Sequence, residues 1–217
     1  MIKVAIFDLD GTLACTLPDL TEGMCRARKH FGMPPITEEE VLEFINGTTL
    51  EYIHNCFPTF EGEMMKKAEE TYLREYSDCY LDNTYAYEGL VDTVRKLKED
   101  GIRLGVFTNK DNEHAGQIVR KLYGDLFEIV VGTGRFPGKP DPTGAVYIAD
   151  FLGAKPEETV FIGDSDVDVH TGLNAKMICL DVSWGYRPED FLIEQGAQYI
   201  AHSPAEILEI INKLNNI

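Results

Sequence analysis

The chain has 217 residues, with 37 acidic and 20 basic side chains and a formal net charge of −17. Nucleic acids and anionic membranes would repel so acidic a surface, so we expect neither as a partner. Hydrophobic residues make up 44% of the chain, enough to bury the core of one large domain, or of one domain with an insert.

Short apolar runs predict β-strands along most of the chain. Runs that are apolar at nearly every position are typical of strands covered on both faces of a parallel sheet. Helical patterns separate them, and the last one opens with Ser203-Pro204-Ala205-Glu206, which predicts a capping box with proline at the first helical position. This alternation indicates an α/β fold with a doubly wound, mostly parallel, Rossmann-like sheet. The predicted strands are residues 2–7, 102–108, 128–132, 159–163, 177–182 and 198–201.

One region interrupts the alternation. Residues 16–85 contain helical patterns and no convincing strand. Thr37-Glu38-Glu39-Glu40 reads as a capping box at the start of one helix, and residues 61–79 predict another. We therefore expect an α/β core domain from residues 1–15 and 86–217, and an all-helical domain inserted at 16–85.

The cysteines and the hydropathy pattern predict a soluble, cytoplasmic protein. Five cysteines are odd in number and none lies in a C-x-x-C spacing, so we expect reduced thiols. The N-terminus lacks the charged and apolar regions of a signal peptide. No apolar run approaches the ~18 residues that a membrane span requires.

Polar residues follow the first four predicted strands. The carboxyl ends of parallel strands meet at one edge of a sheet, where ligands bind, so we expect these side chains to converge on one site. Each residue by itself has an ordinary explanation as a turn, a helix cap or a solvated lysine, and the interpretation depends on their combination. In chain order they are Asp8, Asp10, Thr108, Asn109, Lys139, Asp164 and Asp168.

The chemistry of these residue types favours phosphoryl transfer. Asp8 and Asp164 supply the hard oxygen ligands that Mg²⁺ prefers, and the ion would attract a phosphate despite the acidic chain. Asp8 can act as a nucleophile that forms an aspartyl-phosphate. Repulsion between neighbouring carboxylates favours a proton on one of them, which suits Asp10 as a general acid. Lys139 and the Thr108 hydroxyl would hold the phosphoryl oxygens.

The order of these motifs resembles the haloacid dehalogenase superfamily over essentially the whole chain. The motifs are Asp-Leu-Asp-Gly-Thr-Leu at 8–13, Thr108-Asn109, Lys139-Pro140 and Gly163-Asp164-x-x-x-Asp168. The resemblance implies that Asp8 is the nucleophile and Asp10 the acid/base. It implies that Mg²⁺ is held by Asp8, the Asp10 carbonyl and Asp164, with support from Asp168, and that 16–85 is a four-helix cap domain.

Within the superfamily, Leu17-Pro18-Asp19-Leu20 and 31–34 resemble phosphoglycolate phosphatases. This resemblance implies a Mg²⁺-dependent phosphatase of a small phosphorylated metabolite, acting as a monomer or homodimer through an aspartyl-phosphate. Asn109 would join Thr108 and Lys139 in binding the phosphate. The cap residues Thr16, Asn46 and Gly47 would contact the rest of the substrate.

Residue types at single positions help to distinguish the other activities of the superfamily. A dehalogenase would not need Asp10 or the metal ligands. A β-phosphoglucomutase would usually have histidine and valine where this chain has Leu20 and Thr12. Pyrophosphatases and nucleotidases stay open, as does a binding protein without activity, although neither aspartate nor the lysine is missing. Many relatives have Asp-Ser where this chain has Cys15-Thr16.

Overall fold

The computed structural model describes residues 1–45 and 47–216. The chain forms two compact units, one of Met1–Cys15 with Ala86–Ile217 and one of Thr16–Tyr85. The first unit contains the β-sheet and the second is helical. That the second unit acts as a cap domain stays a prediction.

A six-stranded sheet in which neighbouring strands run parallel forms the centre of the first unit. Taken in chain order, its strands lie in the sequence 3-2-1-4-5-6, the arrangement of a doubly wound sheet. The predicted fold class is therefore confirmed. From one edge to the other the strands are β5 (Ile129–Thr133), β4 (Arg103–Asp111), β1 (Val4–Phe7), β6 (Thr159–Gly163), β7 (Ile178–Val182) and β8 (Tyr199–Ala201), and a separate two-stranded sheet contains β2 (Ala14–Cys15) and β3 (Tyr85–Ala86).

The strands of the sheet follow the predicted runs, with one difference that affects the site. The run at 159–163 matches β6 at both ends, and the others begin one or two residues later than predicted. The strand predicted to end at 108 continues to Asp111, and its pairing with β5 shifts in register between Phe107 and Asp111. Such irregularities bend a strand and redirect its side chains. Thr108 and Asn109 thus lie inside the irregular last part of β4.

Within residues 1–15 and 86–216, six α-helices pack around this sheet. All four residues of β1 are buried, so both faces of the sheet are covered. On the first of these helices Leu90, Val94 and Leu97 are buried, as their spacing predicts. The helices are α5 (Leu90–Glu99), α6 (Asn112–Tyr123), α7 (Thr143–Phe151), α8 (Asp166–Asn174), α9 (Glu189–Gln195) and α10 (Pro204–Asn215).

Packing of α7 on the sheet holds the strands beneath the site in place. Ile148 of α7 and Phe107 and Phe161 of the sheet belong to one buried apolar cluster. The two phenylalanine rings meet edge to face with centroids 6.5 Å apart, a favourable aromatic geometry. Burying each such ring contributes roughly 2–3 kcal/mol. The strand ends therefore project from a rigid base.

The start of α10 corrects one prediction. Ser203 is the N-cap residue and proline lies in the first turn, as predicted, but the Ser203 side chain accepts no capping hydrogen bond. The Glu206 carboxylate instead accepts hydrogen bonds from the His202 backbone N–H and ring. The predicted capping box is wrong because the preceding histidine offers the glutamate competing donors.

In its described residues the second unit contains four helices. Its capping box at Thr37 is confirmed, with Glu40 as the partner. Tyr52 and Tyr72 meet edge to face at 5.5 Å in its interior. The helices are α1 (Leu17–His30), α2 (Glu38–Phe44), α3 (Thr49–Cys56) and α4 (Gly62–Ser77).

A buried carboxylate closes the second unit. Asp19 of α1 is fully buried, and its oxygens accept hydrogen bonds from the backbone N–H groups of Asn83 and Thr84 and from the Asn83 side-chain amide, at 2.8–3.0 Å. Every one of these donors is neutral. The contact fixes the segment that follows α4 against the start of α1.

Among the described residues no helix has the length and apolar character needed to cross a membrane. All five cysteines lie within the described ranges as free thiols, as predicted, and three of them are buried. A buried thiol behaves mainly as a small apolar packing group.

Candidate active site

Asp8 and Lys139 meet at the carboxyl end of the central strand. Asp8 directly follows β1, and Lys139 lies in the loop between β5 and α7. The Lys139 ammonium donates to Asp8 Oδ1 and to Asp168 Oδ1, both at 2.6 Å. All three side chains are buried. The sheet thus joins residues that are 131 positions apart in sequence.

Asp168 is held in place by the helix on which it lies. Its Oδ2 accepts hydrogen bonds from the Ser165 hydroxyl at 2.6 Å and from the Ser165 and Asp164 backbone N–H groups. Ser165 in turn caps α8. Because Oδ2 completes this capping box, Oδ1 is left to face Lys139. The supporting role predicted for Asp168 stays a prediction.

Asp164 has two partners that sequence reasoning did not single out. The Thr12 hydroxyl donates to Oδ1 and the Tyr186 backbone N–H donates to Oδ2, both at 2.7 Å. The backbone approaches closely on both sides, since a Cβ added at Gly11 or Gly185 would lie 2.3 or 2.2 Å from atoms of Asp164. Thr12 lies within the quoted 8–13 motif, whereas no local pattern marks Tyr186.

Asn109 fixes the backbone of Lys139. Its side-chain Oδ1 accepts from the Lys139 N–H at 2.7 Å, and its amide donates to the Lys139 carbonyl at 3.1 Å. The Thr108 hydroxyl lies next to it in sequence, is buried, and accepts from the Lys110 backbone N–H at 3.2 Å. Asn109 therefore orients the lysine through two hydrogen bonds, a contact that the predicted phosphate-binding role did not include.

Asp10 is paired with a lysine that the sequence analysis passed over. The Lys110 ammonium lies 2.9 Å from Asp10 Oδ1, and its side chain is 5% exposed. Lys110 directly follows Thr108-Asn109, so its place at the end of β4 was the available sequence signal. Asp10 itself is less buried, with 18% of its side chain exposed.

The electrostatics of the site show an excess of negative charge. Burial raises the pKa of Asp8 well above its usual range, and the Lys139 ammonium opposes this rise. Burial alone would lower the pKa of Lys139, but the carboxylates of Asp168 and Asp8 outweigh it and raise that pKa. Three buried carboxylates, those of Asp8, Asp164 and Asp168, lie close together, and the Lys139 ammonium contacts two of them, Asp8 and Asp168. A further cation would relieve their repulsion.

Two carboxyl groups of this region, those of Asp164 and Asp181, have raised pKa values. Burial, and then the neighbouring Asp168, raise the pKa of Asp164 to about 7, against the hydrogen bonds from Tyr186 and Thr12. Asp181, at the end of β7, was not predicted: burial raises its pKa to about 9, and Asp168 and Asp164 add to the rise. Its Oδ2 is buried without a hydrogen-bond partner.

The donor set fits a divalent cation that prefers oxygen ligands. Asp8, Asp164 and Asp168 each offer a carboxylate oxygen, and these atoms lie within 4.8 Å of one another. Hard oxygen donors with excess negative charge suit Mg²⁺, which takes a few carboxylates together with water and substrate phosphate. The Asp10 side chain does not belong to this group, and the ligand predicted from that residue is its main-chain carbonyl.

The predicted cap residues all belong to the helical unit. Thr16 is buried at the N-terminal end of α1. Gly47 has a φ of +116°, which favours glycine, and precedes Thr48, whose side chain and Glu51 form the capping box of α3. Asn46 lies outside the described residues. Substrate contact by Thr16, Asn46 and Gly47 stays a prediction.

The chain is similar to known proteins of one hydrolase family. The profile of the family described as "Haloacid dehalogenase-like hydrolase" matches residues 5–182. Phosphoglycolate phosphatase 1 of Pseudomonas aeruginosa is 29% identical over 95% of this chain and 78% of its own length. Pyrophosphatase PpaX of Listeria welshimeri is 28% identical over 97% of this chain and 96% of its own. The crystal structure of a predicted phosphoglycolate phosphatase from Haemophilus somnus superposes with a TM-score of 0.90 at 25% identity, covering 97% of this chain and 98% of that one.

Fold, site and family profile together define the class: the chain belongs to the haloacid dehalogenase-like hydrolases. The predicted resemblance to the phosphoglycolate phosphatase-like members is confirmed by the curated relatives and the structural neighbours. These relatives agree with the predicted enzyme class, a phosphoric monoester hydrolase.

Proposed function

We propose that the protein is a Mg²⁺-dependent phosphatase that hydrolyses a small phosphorylated metabolite through an aspartyl-phosphate on Asp8. The observation that carries this proposal is the buried group of charged side chains at the strand ends. Lys139 joins Asp8 to Asp168. Asp8, Asp164 and Asp168 each offer a carboxylate oxygen close enough to the others to hold one metal ion. Asp8 would be the nucleophile because both oxygens of Asp164 and both oxygens of Asp168 accept hydrogen bonds from the protein, whereas Lys139 contacts only Oδ1 of Asp8.

The metal would be held by Asp8, Asp164 and the main-chain carbonyl of Asp10. Phosphatases of this family generally use a divalent metal, and the buried aspartates offer a site for one. When bound, Mg²⁺ would supply positive charge that attracts the phosphate and offsets charge on its oxygens. Asp168 would contribute indirectly, since it holds the Lys139 ammonium in place.

The reaction would proceed in two displacements on phosphorus. In the first, an Asp8 oxygen bonds to phosphorus, the ester P–O bond breaks with its electron pair going to the leaving oxygen, and Asp10 donates a proton to that oxygen. In the second, Asp10 takes a proton from the attacking water, the water oxygen bonds to phosphorus, and the Asp8–phosphorus bond breaks. Lys139 and the Thr108 hydroxyl would hold the phosphoryl oxygens throughout.

Replacement of the nucleophile tests the proposal. Asp8→Asn should lower turnover of p-nitrophenyl phosphate by at least about a thousandfold, because the amide oxygen is a poor nucleophile. Asp100→Asn, an exposed carboxylate paired with Lys96, serves as the matched control and should keep normal activity. Normal turnover by the Asp8→Asn variant would disprove the assignment. Chelation with EDTA should also abolish activity, and activity that persists without divalent metal would refute the metal requirement.

Pyrophosphate is the second candidate substrate, and the similarity to pyrophosphatase PpaX favours it. Steady-state rates on phosphoglycolate, inorganic pyrophosphate and nucleoside monophosphates distinguish the two candidates and the nucleotidase alternative. A kcat/KM on phosphoglycolate at least tenfold above the others supports a phosphoglycolate phosphatase. The highest value on pyrophosphate would identify a pyrophosphatase instead. No turnover of any of them by folded, metal-bound protein would favour a binding protein.

A further inference from the structure

The ion pair between Lys110 and Asp10 involves the residue that is the acid/base of the proposed reaction. The Lys110 ammonium and Asp10 Oδ1 are 2.9 Å apart, and the lysine side chain is only 5% exposed. Lysine side chains are ordinarily flexible and solvated, and immobilising one costs conformational entropy. A lysine buried at the strand ends is therefore held in one geometry with the carboxylate that it contacts.

The surroundings explain how this geometry is fixed. Lys110 is the third residue of a polar run at the irregular end of β4, and its backbone N–H donates to the Thr108 hydroxyl. Asn109 between them is fixed to the Lys139 backbone. One short segment thus presents a phosphate-binding hydroxyl, a support for Lys139 and the ammonium that contacts Asp10.

We propose that Lys110 is a positioning residue that holds the Asp10 carboxyl group in the orientation needed for proton transfer. This proposal rests on the proposed function, in which Asp10 protonates the leaving oxygen while the ester P–O bond breaks. After that transfer Asp10 is a carboxylate, and the ion pair observed here holds this form ready to accept the proton of the attacking water. In this role Lys110 acts through its contact with Asp10.

Leaving groups of unequal basicity make the role measurable. p-Nitrophenolate leaves phosphorus with little help from an acid, whereas the more basic phenolate of phenyl phosphate requires protonation. The two substrates have nearly the same shape, so that they report on proton donation rather than on binding. The value of kcat/KM is the right quantity, since it includes the step in which the leaving group departs.

The test compares Lys110→Met with wild type on both substrates. Methionine keeps an unbranched apolar stem without the charge. We expect kcat/KM for phenyl phosphate to fall at least tenfold more than kcat/KM for p-nitrophenyl phosphate. Lys110→Arg, which retains the positive charge, should restore most of this ratio. Lys96→Met, an exposed lysine paired with Asp100, is the control and should leave the ratio unchanged.

The ratio of the two substrates remains informative if the variant folds incompletely. Inactive molecules lower both rates by the same factor, so they cancel from the ratio. An equal loss on both substrates, or no loss, would overturn the positioning role. As a further check, Lys110→Met in an Asp10→Asn background should not change the ratio beyond that of Asp10→Asn alone. An additional change there would show that Lys110 acts independently of Asp10, which also overturns the proposal.

Failure of this proposal and failure of the proposed function give different results. If Asp8→Asn is inactive and the substrate ratio is unaffected by Lys110→Met, only the positioning role is lost. If Asp8→Asn retains normal activity, the aspartyl-phosphate mechanism itself is wrong.

Discussion

Asp19 of the helical unit and Asp164 of the sheet unit are both fully buried aspartates, and their surroundings differ in kind. Asp19 faces only neutral N–H donors, which satisfy its two oxygens. Asp164 has two donors, Thr12 and Tyr186, but shares its site with other carboxylates. In the first arrangement neutral donors alone satisfy the buried side chain, whereas in the second a further cation would offset the repulsion between the carboxylates.

This difference distinguishes a structural carboxylate from a functional one. Burial alone does not identify an active site, because a buried acid with enough donors stabilises a fold. An acid buried beside other acids costs stability, and it is retained where the excess charge binds something. Three substitutions test this distinction, and each replaces an aspartate by an asparagine of nearly the same shape.

Asp164→Asn is expected to have the largest effect. It should lower phosphatase activity by at least about a hundredfold, because it removes a proposed metal ligand. The same change should raise the Tm of the metal-free protein at pH 8 by about 5 °C, since it removes a charge from an acid whose pKa is raised to about 7. Activity assays with Mg²⁺ and thermal unfolding in EDTA measure the two effects.

The local hydrogen bonds should tolerate this asparagine. Its oxygen can accept from the Tyr186 N–H, and its amide can donate to the Thr12 hydroxyl, because a hydroxyl can reverse its role. A lower Tm in EDTA would contradict the view that Asp164 costs stability, and would place it with Asp19 as a structural carboxylate.

Asp181→Asn should have an effect that depends on pH. The folded-state pKa of Asp181 is about 9, above the value near 3.9 of an unfolded chain. The folded protein therefore binds this proton more tightly than the unfolded chain does. The contribution of protonated Asp181 to the free energy of unfolding is complete below about pH 4 and is lost as the pH rises towards 9. The asparagine carries no such charge. Its Tm relative to wild type should rise between pH 5.5 and pH 8 by about 5 °C, measured in EDTA.

An exposed aspartate provides the control for this pH dependence. Asp92 on α5 has a side chain that is 84% exposed, and Asp92→Asn should shift the Tm by less than about 1 °C at either pH. If the Tm difference between Asp181→Asn and wild type is the same at both pH values, then Asp181 does not destabilise the fold through burial of a charged carboxylate.

Asp19→Asn should have the smallest effect, and one of opposite sign. The asparagine amide would face the N–H groups of Asn83 and Thr84, which cannot reverse their roles as the Thr12 hydroxyl can. We expect a loss of about 1.5 kcal/mol in the free energy of unfolding, measured by urea denaturation. Glu22→Gln, on the exposed face of the same helix, should change it by less than about 0.5 kcal/mol. A gain in stability from Asp19→Asn would abolish the distinction between the two regions.

Local sequence patterns were sufficient for the fold class and for much of the site. Six apolar runs gave the strands of the sheet to within a few residues. The polar residues that follow four of them do meet, as shown by the contacts of Lys139 with Asp8 and Asp168. This inference succeeds because strand direction in a parallel sheet determines which ends share an edge, whatever the distance along the chain.

Contacts made by backbone groups and by unremarkable residues were not predictable. Nothing in its neighbours marks Tyr186 as a donor to Asp164, because any residue type provides a backbone N–H. Lys110 was not singled out from the sequence, and Asp181 lies within the apolar run that predicts the strand at 177–182. The capping box predicted at Ser203 failed for the same reason, since the competing donor lies just outside the motif.

Local patterns in the amino-acid sequence are enough to specify a parallel α/β sheet with aspartates and a lysine at its strand ends. Periodicity and strand direction are local properties of the chain, and they suffice for that. Only the tertiary structure decided how the charges are shared: Lys139 between Asp8 and Asp168, Lys110 with Asp10, and Asp181 buried without a partner for one oxygen. Those outcomes depend on burial and on distances of a few ångströms between remote segments, because the strength of a charge interaction is set by both.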